Sequence, residues 1–192
     1  MRIAVISRVF SKAGGGAESY SVSLVEHLAK RHDIHVFAQE SNQPVPGVTY
    51  YRVTCLSPRP RWLNQLLFAT LTWWQTRRGF DVVHSHENTW HGQVQTIHVR
   101  PLRLNLLQSR QGPGLAMRWL KIALSPRLLT YLCLEGARFR QPPLRHIVAA
   151  SDGLKDECEQ AYPASLGRVA VITPGADPVL NGLTREVARA QL

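Results

Sequence analysis

Ser7-Arg8-Val9-Phe10-Ser11-Lys12-Ala13-Gly14-Gly15-Gly16-Ala17-Glu18 follows an apolar run, Ile3-Ala4-Val5-Ile6, and opens a helical pattern near Ala17. Strand, glycine-rich loop and helix, in that order, begin a nucleotide-fold α/β unit. Gly14, Gly15 and Gly16 carry no Cβ, so the backbone is expected to turn sharply and to let a ligand approach its N–H groups. The helix behind them points its partly positive N-terminus at the same space. A phosphate or a sugar hydroxyl suits that space; a flexible β–α turn without a ligand is the plainer alternative.

Working outward, strand one covers Arg2–Ser7 and the helix runs from about Ala17 to Lys30. Its Ala17, Tyr20, Leu24, Val25 and Leu28 fall on one face. Strands are expected at 34–38 and 48–53, and a helix from Trp62 to about Arg78. Further strands are expected at 80–86, 94–99, 146–150 and 168–172. Helical stretches are expected near 115–125 and 126–140, from a cap at Ser151-Asp152 to about Ala161, and from Thr184 to Leu192. Gln111-Gly112-Pro113-Gly114 reads as a loop. Strands alternating with helices argue for an α/β fold, a mainly parallel Rossmann-like sheet with helices on both faces. Ligands of such sheets bind beyond the carboxyl ends of the strands.

The 192 residues suit one domain, and 44% hydrophobic with 19% charged residues describe a globular chain. No apolar run reaches the ~18 residues of a membrane span. Met1-Arg2 leads straight into a strand pattern, so no signal peptide is expected and the cytoplasm is the default. Cys55, Cys133 and Cys158 lie far apart and read as buried thiols in a reducing compartment.

The net charge of +10 is unevenly spread: residues 100–145 hold nine basic side chains and a single acid, Glu135. Such a block fits either an anionic partner or a solvated basic face. The helix from Trp62 carries Trp73 and Trp74 and is bracketed by Arg59, Arg61, Arg77 and Arg78. Tryptophans with basic ends fit a helix at an anionic membrane surface; an ordinary helix packed on a sheet is the alternative.

The Walker pattern is absent, which argues against P-loop ATP hydrolysis. A dinucleotide pattern nearly fits at Gly14–Gly16, but Ser19 takes the last glycine position; Glu40 stands where an acid would hold a ribose. His84, His86, Glu87, His91 and His98 are the densest group of polar candidates. Their spacing matches no zinc motif, so no metal is expected. His84 reads as a packing residue, while His86 and His98 sit at strand ends, within reach of a substrate hydroxyl.

Gly14-Gly15-Gly16-Ala17-Glu18, Asp81-Val82-Val83-His84-Ser85-His86-Glu87-Asn88, Thr96-Ile97-His98, Val148-Ala149-Ala150-Ser151 and Val171-Ile172-Thr173-Pro174-Gly175-Ala176-Asp177 follow one another as in GT-B glycosyltransferases of family 4. Outside 100–145 the chain resembles the N-terminal, acceptor-side domain of these enzymes. The resemblance implies one half of a GT-B fold, whose second domain binds the nucleotide-sugar through an E-x7-E motif and basic residues. The sequence ends at Leu192, about where an interdomain linker would begin at 183–192. The expectation is therefore a single domain over 1–192, without the donor half and with little or no activity alone.

By resemblance, His98 corresponds to a histidine that faces the reacting sugar. Gly14, Gly15 and Gly16 correspond to the loop that approaches donor and acceptor, and His86, Glu87 and Asn88 to an acceptor-side loop. Pro174, Gly175 and Asp177 correspond to a hinge whose usual asparagine is missing here. The implied reaction retains the anomeric configuration, has no protein nucleophile, and leaves the acceptor proton with the donor's departing phosphate. It needs no cofactor beyond the nucleotide-sugar co-substrate. Its acceptor would be a glycan or lipid-linked sugar, of lipopolysaccharide type, at the inner face of the cytoplasmic membrane. The block 100–145 loosely resembles acceptor-side helices of lipopolysaccharide-core glucosyltransferases.

Two other classes compete. A nicotinamide-binding domain of an oxidoreductase rests on the glycine loop and Glu40. A module for RNA or acidic glycan rests on charge alone, and without an RNP-like aromatic motif nucleic acid is not expected.

Overall fold

A computed structural model describes residues 1–13, 15–42, 44–57, 59–108, 111–140 and 146–175. In chain order these form β1 (Arg2–Ile6), β2 (Val9–Phe10), α1 (Gly16–Leu28), β3 (Asp33–Ala38), β4 (Glu40–Ser41), β5 (Val48–Arg52) and α2 (Arg61–Thr76). They continue as β6 (Val82–Ser85), β7 (Val94–Ile97), α3 (Leu102–Leu107), α4 (Gly112–Ala123), α5 (Pro126–Phe139), β8 (His146–Ala149), α6 (Asp152–Ala161) and β9 (Val169–Val171). Gly14, Arg110, Arg145, Asp177 and the helix expected at 184–192 lie outside the described residues.

Seven strands form one sheet in the order β5-β3-β1-β6-β7-β8-β9, and every pairing is parallel. The expected Rossmann-like α/β architecture is what the chain forms. β1 and β3 are buried from their second residue onward. Their near-continuous apolar sequences follow from having both faces covered. One face packs Val5 and Val36 against Val22 and Val25 of α1. The other packs Ala4, Ile6 and Phe37 against Phe68 of α2. A third cluster joins Ile97, Ile147, Phe139 and Tyr162 under α3, α5 and α6.

Three local features depart from the sequence reading. β2 and β4 make a separate two-stranded parallel ladder; two-residue strands carry no periodic signal. Residues 102–107 are helical, because Glu135 accepts the N–H groups of Leu102 (2.6 Å) and Arg103 (3.0 Å) from across the fold. α4 begins at Gly112, so Gly112-Pro113-Gly114 is its first turn and not a loop. Pro113 loses nothing there, where an N–H has no helical partner, and Gly112 has φ +54°, which favours glycine.

Cysteine burial also differs: Cys158 is buried, but Cys55 and Cys133 are exposed. α2 packs on the sheet, yet its buried face holds Asn64, Gln65, Thr72 and Thr76 beside Phe68 and Ala69. The Thr72 and Thr76 hydroxyls donate to Phe68 O and Thr72 O of their own helix at 2.7 Å. Asn64 and Gln39 exchange amide hydrogen bonds at 2.7 and 3.0 Å. The tryptophans are therefore left outside, Trp73 42% and Trp74 59% exposed.

Candidate active site

The parallel order runs β1-β3-β5 in one direction and β6-β7-β8-β9 in the other. The switch point lies between β1 and β6, and the crevice outside their carboxyl ends is where open α/β sheets bind ligands. Residues 7–15 leave β1 there, and His86 to Gln93 leave β6.

β6 and β7 are parallel neighbours joined by residues 86–93 with no helix, a short route for a parallel crossover. Polar side chains make it feasible. Gln95 donates to Thr89 O (3.3 Å) and His91 O (2.8 Å). Ser85 and Thr89 share a hydroxyl bond of 2.9 Å, and Val83 N donates to Gln93 Oε1 at 2.8 Å. Gly92, at φ +115°, leaves room at a point where a Cβ would lie 3.3 Å from Val83 O. The tight return brings the ends of β6 and β7 side by side, and with them His86 and His98.

The three strand-end histidines form a stack. His84 and His86 rings lie 4.4 Å apart at 28°, and His86 and His98 lie 5.7 Å apart at 15°. His86 Nδ1 and His98 Nε2 are joined by a long hydrogen bond of 3.4 Å. His84 Nε2 is hydrogen-bonded to Thr96 Oγ1 at 2.8 Å. Tyr20 of α1 sets its ring edge-on to His86 at 5.8 Å and to His98 at 5.3 Å. From α5, the buried Arg138 donates to Thr96 O at 2.6 Å. His86 Nε2 is buried without a hydrogen-bond partner.

Burial makes these imidazoles poor bases. It lowers His84 to about 4, with His98 and Arg138 adding to the effect. It holds His86 well below 6.5, helped by His84, His98 and Arg138. His98 is lowered by burial and by Arg138, against an opposing pull from Glu18. All three are neutral near pH 7, so each ring has one N–H and one bare nitrogen. Because the folded state resists protonation, their stabilisation is present above the unfolded value of about 6.5. It is lost as pH falls from there toward His84's value of about 4. That change is worth on the order of 3 kcal/mol for His84. Urea midpoints should fall between pH 7 and 4.5, and less steeply in His84→Gln; matching slopes in the two proteins would contradict buried neutral imidazoles.

Gly15 and Gly16 do not form the sharp turn expected of them. Gly15 is the N-cap of α1 with φ −166° and ψ −176°, an extended conformation open to any residue. Neither Gly15 nor Gly16 has a positive φ. Their value is space: a Cβ on Gly16 would meet nothing within 4 Å. A Cβ on Gly15 would come within 2.7 Å of Glu18 Oε2, so Glu18 folds its carboxylate back over the helix start. The segment 7–15, with β2 inside it, is too long for the tight dinucleotide turn. Glu40 sits exposed on β4, its N–H donating to Arg8 O at 3.0 Å.

Glu87 fastens this loop to the β6–β7 return. Its carboxylate accepts Arg8 N and Arg8 Nε, both at 3.1 Å. Asn88 donates weakly to Tyr131 O at 3.4 Å, and its Oδ1 is buried without a partner. The Asn88 carbonyl accepts Gln65 of α2 at 3.0 Å. Gly175 lies exposed beyond β9, with β7 and β8 between that strand and β6. The structure thus gathers Gly15, Gly16, His86, Glu87, Asn88 and His98 around the switch point and leaves Gly175 further along the same sheet edge. Arg59, Arg61 and Trp62 mark one end of α2, and Arg77 and Arg78 the other. The Arg77 guanidinium stands 5.9 Å from Trp73 and 5.8 Å from Trp74. Among the described residues no three His, Cys, Asp or Glu side chains converge as a metal site.

Sequence reasoning missed Tyr20, Thr96 and Arg138. Tyr20 fits an ordinary apolar helix stripe and Arg138 a basic block, so neither carries a local sign of its contact with the histidines.

The family model for Glycosyltransferase Family 4 matches residues 14–180. The chain belongs to that family. Its fold is similar to that of WaaG, a glycosyltransferase involved in lipopolysaccharide biosynthesis, with a TM-score of 0.81 at 16% identity. The match covers 98% of this chain and 50% of WaaG, so the chain spans half the length of that structure. No curated protein matches the sequence. This Glycosyltransferase Family 4 domain is thus the N-terminal half of a GT-B fold, with its histidine stack at the switch point. No helix among its described residues is long and apolar enough to cross a membrane.

Proposed function

We propose that this domain binds the acceptor in a retaining glycosyltransferase that moves a sugar from a nucleotide-sugar to a membrane-associated acceptor, lipid-linked or of lipopolysaccharide type. The observation that carries the reading is His98. It is neutral, half-buried at the carboxyl end of β7, bonded to His86 through Nε2, and packed against Tyr20 of the helix that the glycine loop opens. With Nε2 engaged, Nδ1 is the nitrogen left to meet a hydroxyl. A neutral imidazole can hold a sugar hydroxyl without adding a positive charge that would compete for the leaving diphosphate.

In this reading Gly15 and Gly16 leave backbone space for the incoming donor, and Glu87 and Arg8 hold the two loops in register. Asn88 Oδ1 and His86 Nε2, buried without partners, are polar atoms whose pairing an acceptor or an ordered water would complete. Developing charge on the sugar is stabilised electrostatically, and the departing phosphate takes the acceptor proton. A second domain supplies most of the nucleotide contacts and determines which sugar is moved. The nicotinamide alternative loses its footing with the long β1–α1 segment and the displaced Glu40. Titration with NADH and with nucleotide-sugars tests the choice: tight NADH binding by the chain would overturn the transferase reading.

The membrane part of the proposal places the domain at the inner face of the cytoplasmic membrane. It rests on the exposed Trp73 and Trp74 and on the arginines at both ends of α2, about 24 Å apart along the helix. Flotation with phosphatidylglycerol vesicles should carry the protein upward, and about 0.5 M salt should release it. Reversing Arg59, Arg61, Arg77 and Arg78 to Glu should weaken partitioning at least about 100-fold, given ~1 kcal/mol per basic residue at an anionic surface. Unchanged flotation of that variant removes α2 from the membrane contact.

A further inference from the structure

Away from the histidines, a pocket of about 380 Å³ opens among α3, α4, α5 and the end of α6. That size is at the lower end of small-ligand clefts, ~300–1,000 Å³. Trp119 and Ile122 of α4 and Leu129 and Leu132 of α5 form apolar walls, and Arg103 and Arg140 line the same space. The Arg103 guanidinium is held 5.1 Å from the Tyr162 ring centroid. Apolar walls with two guanidinium groups call for an occupant that has a hydrocarbon part and an anionic head. Arginine is the side chain best suited to a phosphate, through its paired N–H donors.

The other side of α4 says where such an occupant comes from. Met117 (72% exposed), Leu120 (61%) and Leu124 (76%) follow at i, i+3 and i+7 as one outward stripe. Lys121 flanks that stripe, and Arg127 begins the next helix. An exposed apolar stripe with basic flanks fits an anionic bilayer surface.

We propose that this pocket holds an anionic membrane phospholipid, its acyl chain between α4 and α5 and its phosphate on Arg103 and Arg140. The proposal stands independently of the transferase reading. Cys133 lines the pocket and is exposed, Cys55 is exposed elsewhere, and Cys158 is buried, so thiol modification reports occupancy with an internal control.

The experiment follows N-ethylmaleimide labelling of Cys133 and Cys55 by peptide mass spectrometry. Dodecyl phosphate below its micelle concentration, and phosphatidylglycerol vesicles, should each slow Cys133 at least tenfold and leave Cys55 unchanged. Inorganic phosphate and dodecyl maltoside should change neither rate. Arg103→Gln with Arg140→Gln should abolish the protection, as should Leu129→Trp, which fills the groove and keeps both arginines. An unprotected Cys133 in dodecyl phosphate overturns the proposal. So does equal protection by the maltoside, which indicates adsorption without headgroup recognition, or by inorganic phosphate, which indicates an anion site without a chain. Protection by vesicles alone overturns it in favour of surface docking through α4.

Discussion

His98→Ala should lower sugar transfer by the full-length protein about 10²–10³-fold, the usual loss when one positioned hydrogen-bonding group at a reacting centre is removed. The side chain is half-buried, and its described contacts are one 3.4 Å hydrogen bond to His86 and the edge of Tyr20. Losing so little should lower stability by only ~1 kcal/mol. If His98 serves the transition state, the loss falls on kcat, with KM for either substrate nearly unchanged. His86→Ala should show a smaller loss, because His86 acts through the orientation and tautomer of His98. Asparagine at position 98 should recover part of the activity, since its amide can still donate and accept. Activity near wild type in His98→Ala, with a melting temperature lowered by several degrees, would reduce His98 to packing and remove the main support for the proposed site.

The second large effect concerns stability. Glu135→Ala should cost about 3–5 kcal/mol. The Glu135 carboxylate is 8% exposed and accepts three bonds, from Leu102 N at 2.6 Å, Arg103 N at 3.0 Å and the Tyr162 hydroxyl at 2.8 Å. Alanine leaves two backbone donors at the start of α3 and a buried phenol without an acceptor. Burial, and then the Glu135 charge, hold the Tyr162 phenol far above its ordinary value, so it remains a donor at any working pH. At about 2–4 °C per kcal/mol for a chain of this size, the melting temperature should drop by about 6–20 °C. Tyr162→Phe, which removes one of the three bonds, should lose about 1–2 kcal/mol. A Glu135→Ala protein that melts within 2 °C of wild type would show that water replaces the carboxylate at α3.

Both predictions concern residues that bind distant parts of the chain, and this is where reading the sequence reached its limit. His98 was legible as a polar residue closing an apolar strand, and family resemblance gave it a role. His86 was legible in the same way, as a second polar residue closing a strand, but not as the partner of His98. That the two rings meet depends on the helix-free return of residues 86–93, which the buried Thr89 and Gln95, together with Gln93, make possible. Tyr20 and Arg138 reach the same histidines from α1 and α5, and no spacing rule connects positions 20, 98 and 138. Glu135 looked like the lone acid in a basic block; its partners lie some thirty residues away in each direction along the chain.

By itself the sequence determined the sheet. Apolar runs such as Ile3–Ile6 and Val36–Ala38 call for burial on both faces, and intervening amphipathic helices supply the cover. It also determined that candidate residues would gather at one edge, because parallel strands end on the same side. Tertiary structure decided which of them touch. It gave Gly15 an extended conformation at the entry to α1, with the Glu18 carboxylate folded over it. It left Trp73 and Trp74 of α2 outside by burying Asn64, Gln65, Thr72 and Thr76 with partners of their own. Periodicity reports which residues are apolar; which polar groups are buried depends on partners distant in sequence, and only the folded chain brings those together.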